Sequence, residues 1–231
     1  MSKSNENGDR PKVTGAGYGN DVATQRGDFL DGSAVRHIRS LIGRPDGGAV
    51  RALDAACAAG GQARRMARAG ALVTAVDLLD HRQDILDADA GEDPMGIEFV
   101  QADLRQVDLY ARLGTFDIIV AQRFIHYLPF AQAADVMRLF RSALNAEGKL
   151  YLSASGLRSE LGRHYEGTSA LATRYAPLWQ PMADKHRIHG NVCLYEEADI
   201  LALLEAGGME AERIYTTPFG NIKTIARVRL A

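Results

Sequence analysis

The stretch Val50-Arg-Ala-Leu-Asp54-Ala-Ala-Cys-Ala-Ala-Gly60-Gly-Gln62 constrains this chain more than any other. A short apolar run empties into small residues and then into the helix-like Ala63-Arg-Arg-Met-Ala-Arg-Ala69, closed by Gly70. A strand followed by a helix N-terminus brings unpaired backbone N–H groups and about half a positive charge to the carboxyl edge of a sheet, where an anion can be held. The next apolar run, Leu72-Val-Thr-Ala-Val-Asp77, ends in a carboxylate about 20 residues past the glycines, the separation at which doubly wound units set an acid beside a ribose. The pair points to a nucleoside ligand.

The remaining pattern extends this unit. Val35, Ile38, Leu41 and Ile42 recur at helical spacing and predict a helix over Ser33–Ile42, with Gly43 as its stop. After the strand Val50–Ala55, the helix to Ala69 and the strand Leu72–Val76, a polar helix is expected over Asp80–Ala90, capped by Asp80 and broken by Gly91-Glu-Asp-Pro94. The strand Ile97–Ala102 delivers Asp103, a short helix spans Val107–Leu113, and Phe116–Ala121 is apolar on both faces, as a central parallel strand should be. Its end carries Gln122, His126 and Tyr127. A helix over Phe130–Leu144 and a strand over Lys149–Ala154 follow. Four strand–helix alternations predict a parallel sheet covered on both faces, with Gly60, Asp77, Asp103 and Gln122 on one edge.

From about 155 to 194 the periodicity is weak, which predicts a lid-like insertion. A helix over Glu196–Ala206, with Ile200, Leu201 and Leu204 inward, then leads to strands Glu210–Thr216 and Ile222–Leu230. The connection Thr217–Asn221 is too short for a parallel crossover, so these two strands are antiparallel. The polar residues 1–14 read as a disordered tail, and 15–231 as one domain.

Composition narrows the function classes. The 231 residues are 46% apolar and 24% charged, ordinary for one well-buried domain. No apolar run reaches the roughly 18 to 20 residues of a membrane helix and no signal core is present, so a cytoplasmic protein without membrane contact is expected. A net charge of −2 without a Lys/Arg block gives no motive for nucleic-acid binding. Cys57 and Cys193 are too few for a disulfide framework, and Cys57 reads as a small filler rather than a nucleophile.

From about Tyr18 to Ala231, this order of motifs resembles class I S-adenosylmethionine-dependent methyltransferases. The resemblance implies a Rossmann-like α/β three-layer sandwich, a mostly parallel seven-stranded sheet with an antiparallel C-terminal hairpin. That family carries Asp-x-Gly-x-Gly-x-Gly after its first strand; Asp54 and Gly60 match it, while Ala56 and Ala58 stand at the first two glycines. By the resemblance, the backbone from Ala56 to Gly60 faces the methionine part of S-adenosylmethionine and Asp77 accepts from both ribose hydroxyls. Leu78 would lie against adenine, Asp103 would accept from its amino group beside the N–H of Leu104, and Gln122 would border the methionine ammonium group. Tyr18 would close over the cofactor.

Methyl transfer needs little beyond holding nucleophile and methyl carbon in line, and a base helps only where the acceptor carries a proton. His126 and Tyr127 are the candidate catalytic residues, with packing of their loop as the alternative. In the insertion, Tyr165, Tyr175 and Trp179 would wall an aromatic or apolar acceptor or form the lid's own core, and an excess of basic residues favours an acceptor carrying carboxylate or phosphate. His186 and His189 lack a matching Cys or carboxylate, so no metal site is expected. The expected partner is a small-molecule substrate; the sequence gives no oligomeric state. Two other readings remain: Ala56-x-Ala58-x-x-Gly61 with Asp77 is a distorted nicotinamide-dinucleotide fingerprint, without the Tyr-x-x-x-Lys pair of short-chain dehydrogenases, and the missing glycines admit a non-catalytic partner-binding scaffold.

Overall fold

Alternating apolar runs and small-residue turns produce the expected doubly wound architecture. The computed structural model describes residues 27–45, 47–89, 95–167 and 170–229. The expected tail over 1–14, Tyr18 and the breaker at 91–94 lie outside the described residues.

Helix α1 (Phe29–Leu41) precedes the core unit β1 (Arg51–Ala55), α2 (Gly61–Arg68), β2 (Leu72–Asp77), α3 (Arg82–Asp89), β3 (Glu98–Gln101), α4 (Leu109–Leu113), β4 (Phe116–Gln122), α5 (Phe130–Ala143) and β5 (Leu144–Ser155). Short pieces follow, β6 (Ala176–Pro177), α6 (Gln180–His186) and β7 (Asn191–Val192), before α7 (Glu197–Ala206), β8 (Met209–Thr216) and β9 (Asn221–Val228). Among the described residues the main sheet has seven strands in the order β3-β2-β1-β4-β5-β9-β8. Strands β1 to β5 pair in parallel, while β9 runs antiparallel to both β5 and β8.

The strand order reverses between β1 and β4, so their carboxyl ends open a crevice at the switch point. Strand β4 is fully buried from Phe116 to Ala121 because both its faces are covered. Leu53, Ile119, Met137, Phe140 and Leu203 pack on the side of α5 and α7, and Leu30, Ile38, Ala52, Met66 and Ile118 on the side of α1 and α2. Inside the insertion, Leu161, Tyr165, Leu178, Met182 and Ile188 form a third, smaller core. Tyr165 therefore belongs to the insertion's own packing.

Three boundaries differ from expectation for local reasons. Helix α1 begins at Phe29 rather than Ser33, because Asp28 accepts from the N–H groups of Leu30 (2.8 Å) and Asp31 (3.2 Å) while Asp31 accepts from Asp28 N–H (2.8 Å). This reciprocal cap fixes the first turn ahead of Gly32. Strand β5 starts at Leu144, where α5 ends, and a register shift between Phe116 and Ile118 absorbs the extra residues. In α7 the inward face is Ile200, Leu203 and Leu204, the i, i+3, i+4 set, whereas Leu201 is 46% exposed.

Candidate active site

The loop after β1 is built from alternating left-handed residues. Ala56, Ala58 and Gly60 have φ of 58°, 47° and 74°. A Cβ at Gly60 would sit 2.8 Å from Ile85 Cγ1, so this position needs glycine for space as well as for conformation. The two alanines adopt the same backbone with a methyl group attached, at a cost of about 1–2 kcal/mol each relative to a right-handed residue. The loop is tied to β2: Cys57 N–H donates to Val76 O (3.1 Å) and Ala58 N–H to Asp77 Oδ2 (2.9 Å). Cys57 itself is buried, and burial pushes its thiol well above its ordinary pKa, as a filler requires.

Asp54 lies beneath this loop. Its Oδ2 accepts from Ala63 N–H (2.7 Å) in the first turn of α2, and burial pushes its carboxyl up to about 7. It braces loop against helix.

Asp77 stands at the rim. Oδ2 takes the Ala58 N–H and Oδ1 the Leu79 N–H (3.0 Å), and each oxygen retains a lone pair for a further donor such as a hydroxyl. Behind it is His81, 1% exposed, whose Nδ1 is 2.9 Å from Asp84 Oδ2 and whose Nε2 is 4.0 Å from Asp77 Oδ1. Nothing in the spacing of Asp77-Leu-Leu-Asp-His81 singles out this histidine.

Asp77, Leu78, Leu79, His81, Ala56 and Ala58 line one side of a cavity of about 400 Å³, and Asp103, Leu104, Arg105, Gln122 and Tyr175 also face it. That volume lies within the roughly 300–1,000 Å³ usual for small-molecule sites. Leu78 is 57% exposed, an apolar surface for a flat ring. Asp103 is clasped by Arg105, with Nη2 at 2.6 Å from Oδ2 and Nε at 2.9 Å from Oδ1, and this hydrogen bonding holds its carboxyl below the usual range. Arg105 was not foreseen.

Gln122 is fixed by a buried network. Its Nε2 donates to Asp31, and its Oε1 accepts from Lys223 Nζ (2.7 Å) and Ser153 Oγ (2.9 Å); Lys223 also pairs with Asp28. Burial pulls Lys223 below its ordinary pKa, against Asp28, which pulls it back. The N-terminal cap of α1 and strand β9 thus converge on the end of β4, a link of 101 residues from Gln122 to Lys223 that no local pattern announces.

A second cavity of about 760 Å³ adjoins the first, and Arg123 and Tyr127 line both. His126 belongs to the second. It is 2% exposed, its Nδ1 has no partner, and burial followed by the charge of Arg123 pushes its pKa down to about 3. The imidazole is neutral at physiological pH. Of the expected residues, Ala56, Ala58, Asp77, Leu78, Asp103, Leu104, Gln122 and Tyr127 share the first cavity, Asp54 lies behind it, Gly60 caps α2, and His126 lines its neighbour. In the insertion, His186 pairs with Glu160 and His189 with Asp184.

The chain's similarities agree with this fold. Residues 52–148 match the family model described as a methyltransferase domain. No curated protein matches the chain. Among solved structures, the chain is 18% identical to magnesium protoporphyrin IX methyltransferase (ChlM) from Synechocystis PCC 6803 with bound SAM, covering 88% of this chain and 85% of that one at a TM-score of 0.54. It is 19% identical to a Burkholderia thailandensis 1,6-didemethyltoxoflavin-N1-methyltransferase crystallised with 1,6-didemethyltoxoflavin and S-adenosylhomocysteine, with coverages of 92% and 83% and a TM-score of 0.60. The CcbJ methyltransferase of Streptomyces caelestis is 14% identical at a TM-score of 0.63, with coverages of 87% and 97%. Residues 52–148 thus match a methyltransferase domain, and the chain shares its fold with solved S-adenosylmethionine-dependent methyltransferases.

Proposed function

We propose that this protein transfers a methyl group from S-adenosylmethionine to a small-molecule acceptor. The observation that carries the reading is the pair of adjoining cavities: one presents Asp77, Leu78, Asp103 and the Ala56–Ala58 backbone together, the other opens beyond Arg123 and Tyr127. Solved structures of the same fold include enzymes named for methylating a porphyrin and a toxoflavin compound, which supports a small-molecule acceptor.

Asp77 is assigned to the ribose hydroxyls, Leu78 to one adenine face, Asp103 and Leu104 to the adenine edge, and Gln122 with the loop from Ala56 to Gly60 to the methionine part. Asp54 supports that loop from behind. The cofactor, when bound, supplies an electrophilic methyl group that needs alignment with a nucleophile rather than activation. Tyr127, shared by both cavities, would hold the acceptor at the junction. His126 contributes shape and a neutral imidazole; with burial lowering its proton affinity it is a weak base, so the reading does not assign it the role of general base.

Incubation with methyl-labelled S-adenosylmethionine and a panel of small nucleophiles should yield labelled product, with Asp77→Ala removing the label and His126→Ala retaining most of it. Label-free product pools throughout, together with binding of NAD, would instead support the dinucleotide reading.

A further inference from the structure

We propose that the second cavity is built for an acceptor with an apolar body and an oxyanion, carboxylate or phosphate, held by Arg123, Arg158 and Arg163. This inference rests on the methyl-transfer reading for the word acceptor, but its geometry stands on the second cavity alone.

Arg123, Arg158 and Arg163 are among the residues lining that cavity; Arg158 and Arg163 are exposed, and none of the three has a carboxylate partner among the described residues. The acidic side chain in the same wall, Glu160, is taken by Lys185 and by His186 Nε2 (3.2 Å). Three like charges around one open cavity repel one another and raise the positive potential at its mouth, an arrangement that an anionic guest relieves. Guanidinium groups also match the planar, two-oxygen geometry of an oxyanion.

At two of these arginines the main chain is held in place. Arg123 has a φ of 53°, and its N–H is held by Ser153 O (3.1 Å) and Ser153 Oγ (3.0 Å). Arg158 packs beneath the β8–β9 turn so closely that a Cβ at Gly220 would lie 2.3 Å from its carbonyl carbon.

An independent observation lies in the same wall. Among the described residues, three buried side-chain polar atoms have no partner, and two of them, His126 Nδ1 and Ser159 Oγ, belong to residues lining this cavity. Buried donors or acceptors left unpaired cost about 1–3 kcal/mol each, so this wall carries polar groups that packing alone does not satisfy. Leu157, Leu161, Ile188 and Phe219, the last 81% exposed, supply the apolar remainder. The chain's net charge of −2 makes this local excess of positive charge a feature of the cavity rather than of the whole surface.

The test uses two fluorescent probes with one aromatic body, the anionic 8-anilinonaphthalene-1-sulfonate and the neutral N-phenyl-1-naphthylamine, titrated into the full chain saturated with S-adenosylhomocysteine. The sulfonate should bind at least about tenfold more tightly, the ratio expected of one or two charge-assisted contacts. Arg158→Gln/Arg163→Gln should bring the two probes to within about threefold, and Arg158→Lys/Arg163→Lys should restore most of the preference. Equal binding by the wild type, or a preference that survives the glutamine variant, overturns the proposal. Calorimetry with S-adenosylhomocysteine separates it from its parent. Product binding without anion preference removes this inference alone, while anion preference without product binding removes methyl transfer and leaves the anion site standing.

Discussion

Ala56 and Ala58 carry left-handed backbone at two turns where glycine would do so without strain. Their retained methyl groups line the first cavity, so the price of the conformation is set against a shaped wall. Ala56→Gly or Ala58→Gly should raise thermal stability, by a few tenths to about 1 kcal/mol once the extra freedom of an unfolded glycine is subtracted. A fall in Tm on either change would show that the methyl packing outweighs the strain. His126 makes a second, pH-dependent case. Its folded pKa of about 3 lies below the ordinary 6.5, so the unfolded chain takes up the proton first as pH falls, and stability present above pH 6.5 is lost toward pH 3. The slope for one proton is at most about 1.4 kcal/mol per pH unit. Asp54 acts oppositely: with its pKa raised from 3.8 to about 7, its contribution is full at low pH and is lost as pH rises through 7. The contribution of His126 is therefore read by difference. Denaturant titrations should show His126→Gln gaining stability relative to wild type between pH 6.5 and 4; a pH-independent difference would place a proton on the folded imidazole.

At the level of elements, the residues legible in the sequence are those whose roles are local. The strand ending in Asp77, the apolar run of β4 and the short β8–β9 turn each announce themselves within a few residues, and the structure gives a parallel sheet with that antiparallel end. What stayed hidden depends on distant partners or on short-range caps overridden by a glycine. The start of α1 was masked by Gly32, and the Asp28–Lys223–Gln122–Asp31 network joins α1, β4 and β9 across most of the chain. The insertion's packing could not be read either, because Leu161, Tyr165, Leu178 and Ile188 cluster without helical or strand periodicity. The network yields a prediction at its own scale. Lys223→Met leaves Gln122 and Asp28 without their cationic partner and should lower stability by roughly 1–3 kcal/mol while weakening cofactor binding through a loosened Gln122. Loss of stability with unchanged affinity would make the network purely structural.

Across the whole molecule, five parallel strands bring their carboxyl ends to one edge, and the insertion with the β8–β9 turn raises walls above it. The sequence placed Asp77, Asp103 and Gln122 on that edge. It did not show that the space divides in two, with His126 facing the second chamber rather than the first. Arg123, which lines both cavities, has left-handed backbone just after β4, a conformation that an arginine in the sequence does not announce. On the proposed function, the loop after β1 and the carboxylate ending β2 grip one adenosine-bearing ligand. Titration calorimetry of the full chain with S-adenosylhomocysteine measures this most directly. A shared grip predicts one-to-one binding in the micromolar range, roughly −8 kcal/mol, weakened at least about tenfold by Asp77→Ala and unchanged by His126→Ala. Binding that is indifferent to Asp77, or heat from NAD in place of S-adenosylhomocysteine, would contradict it.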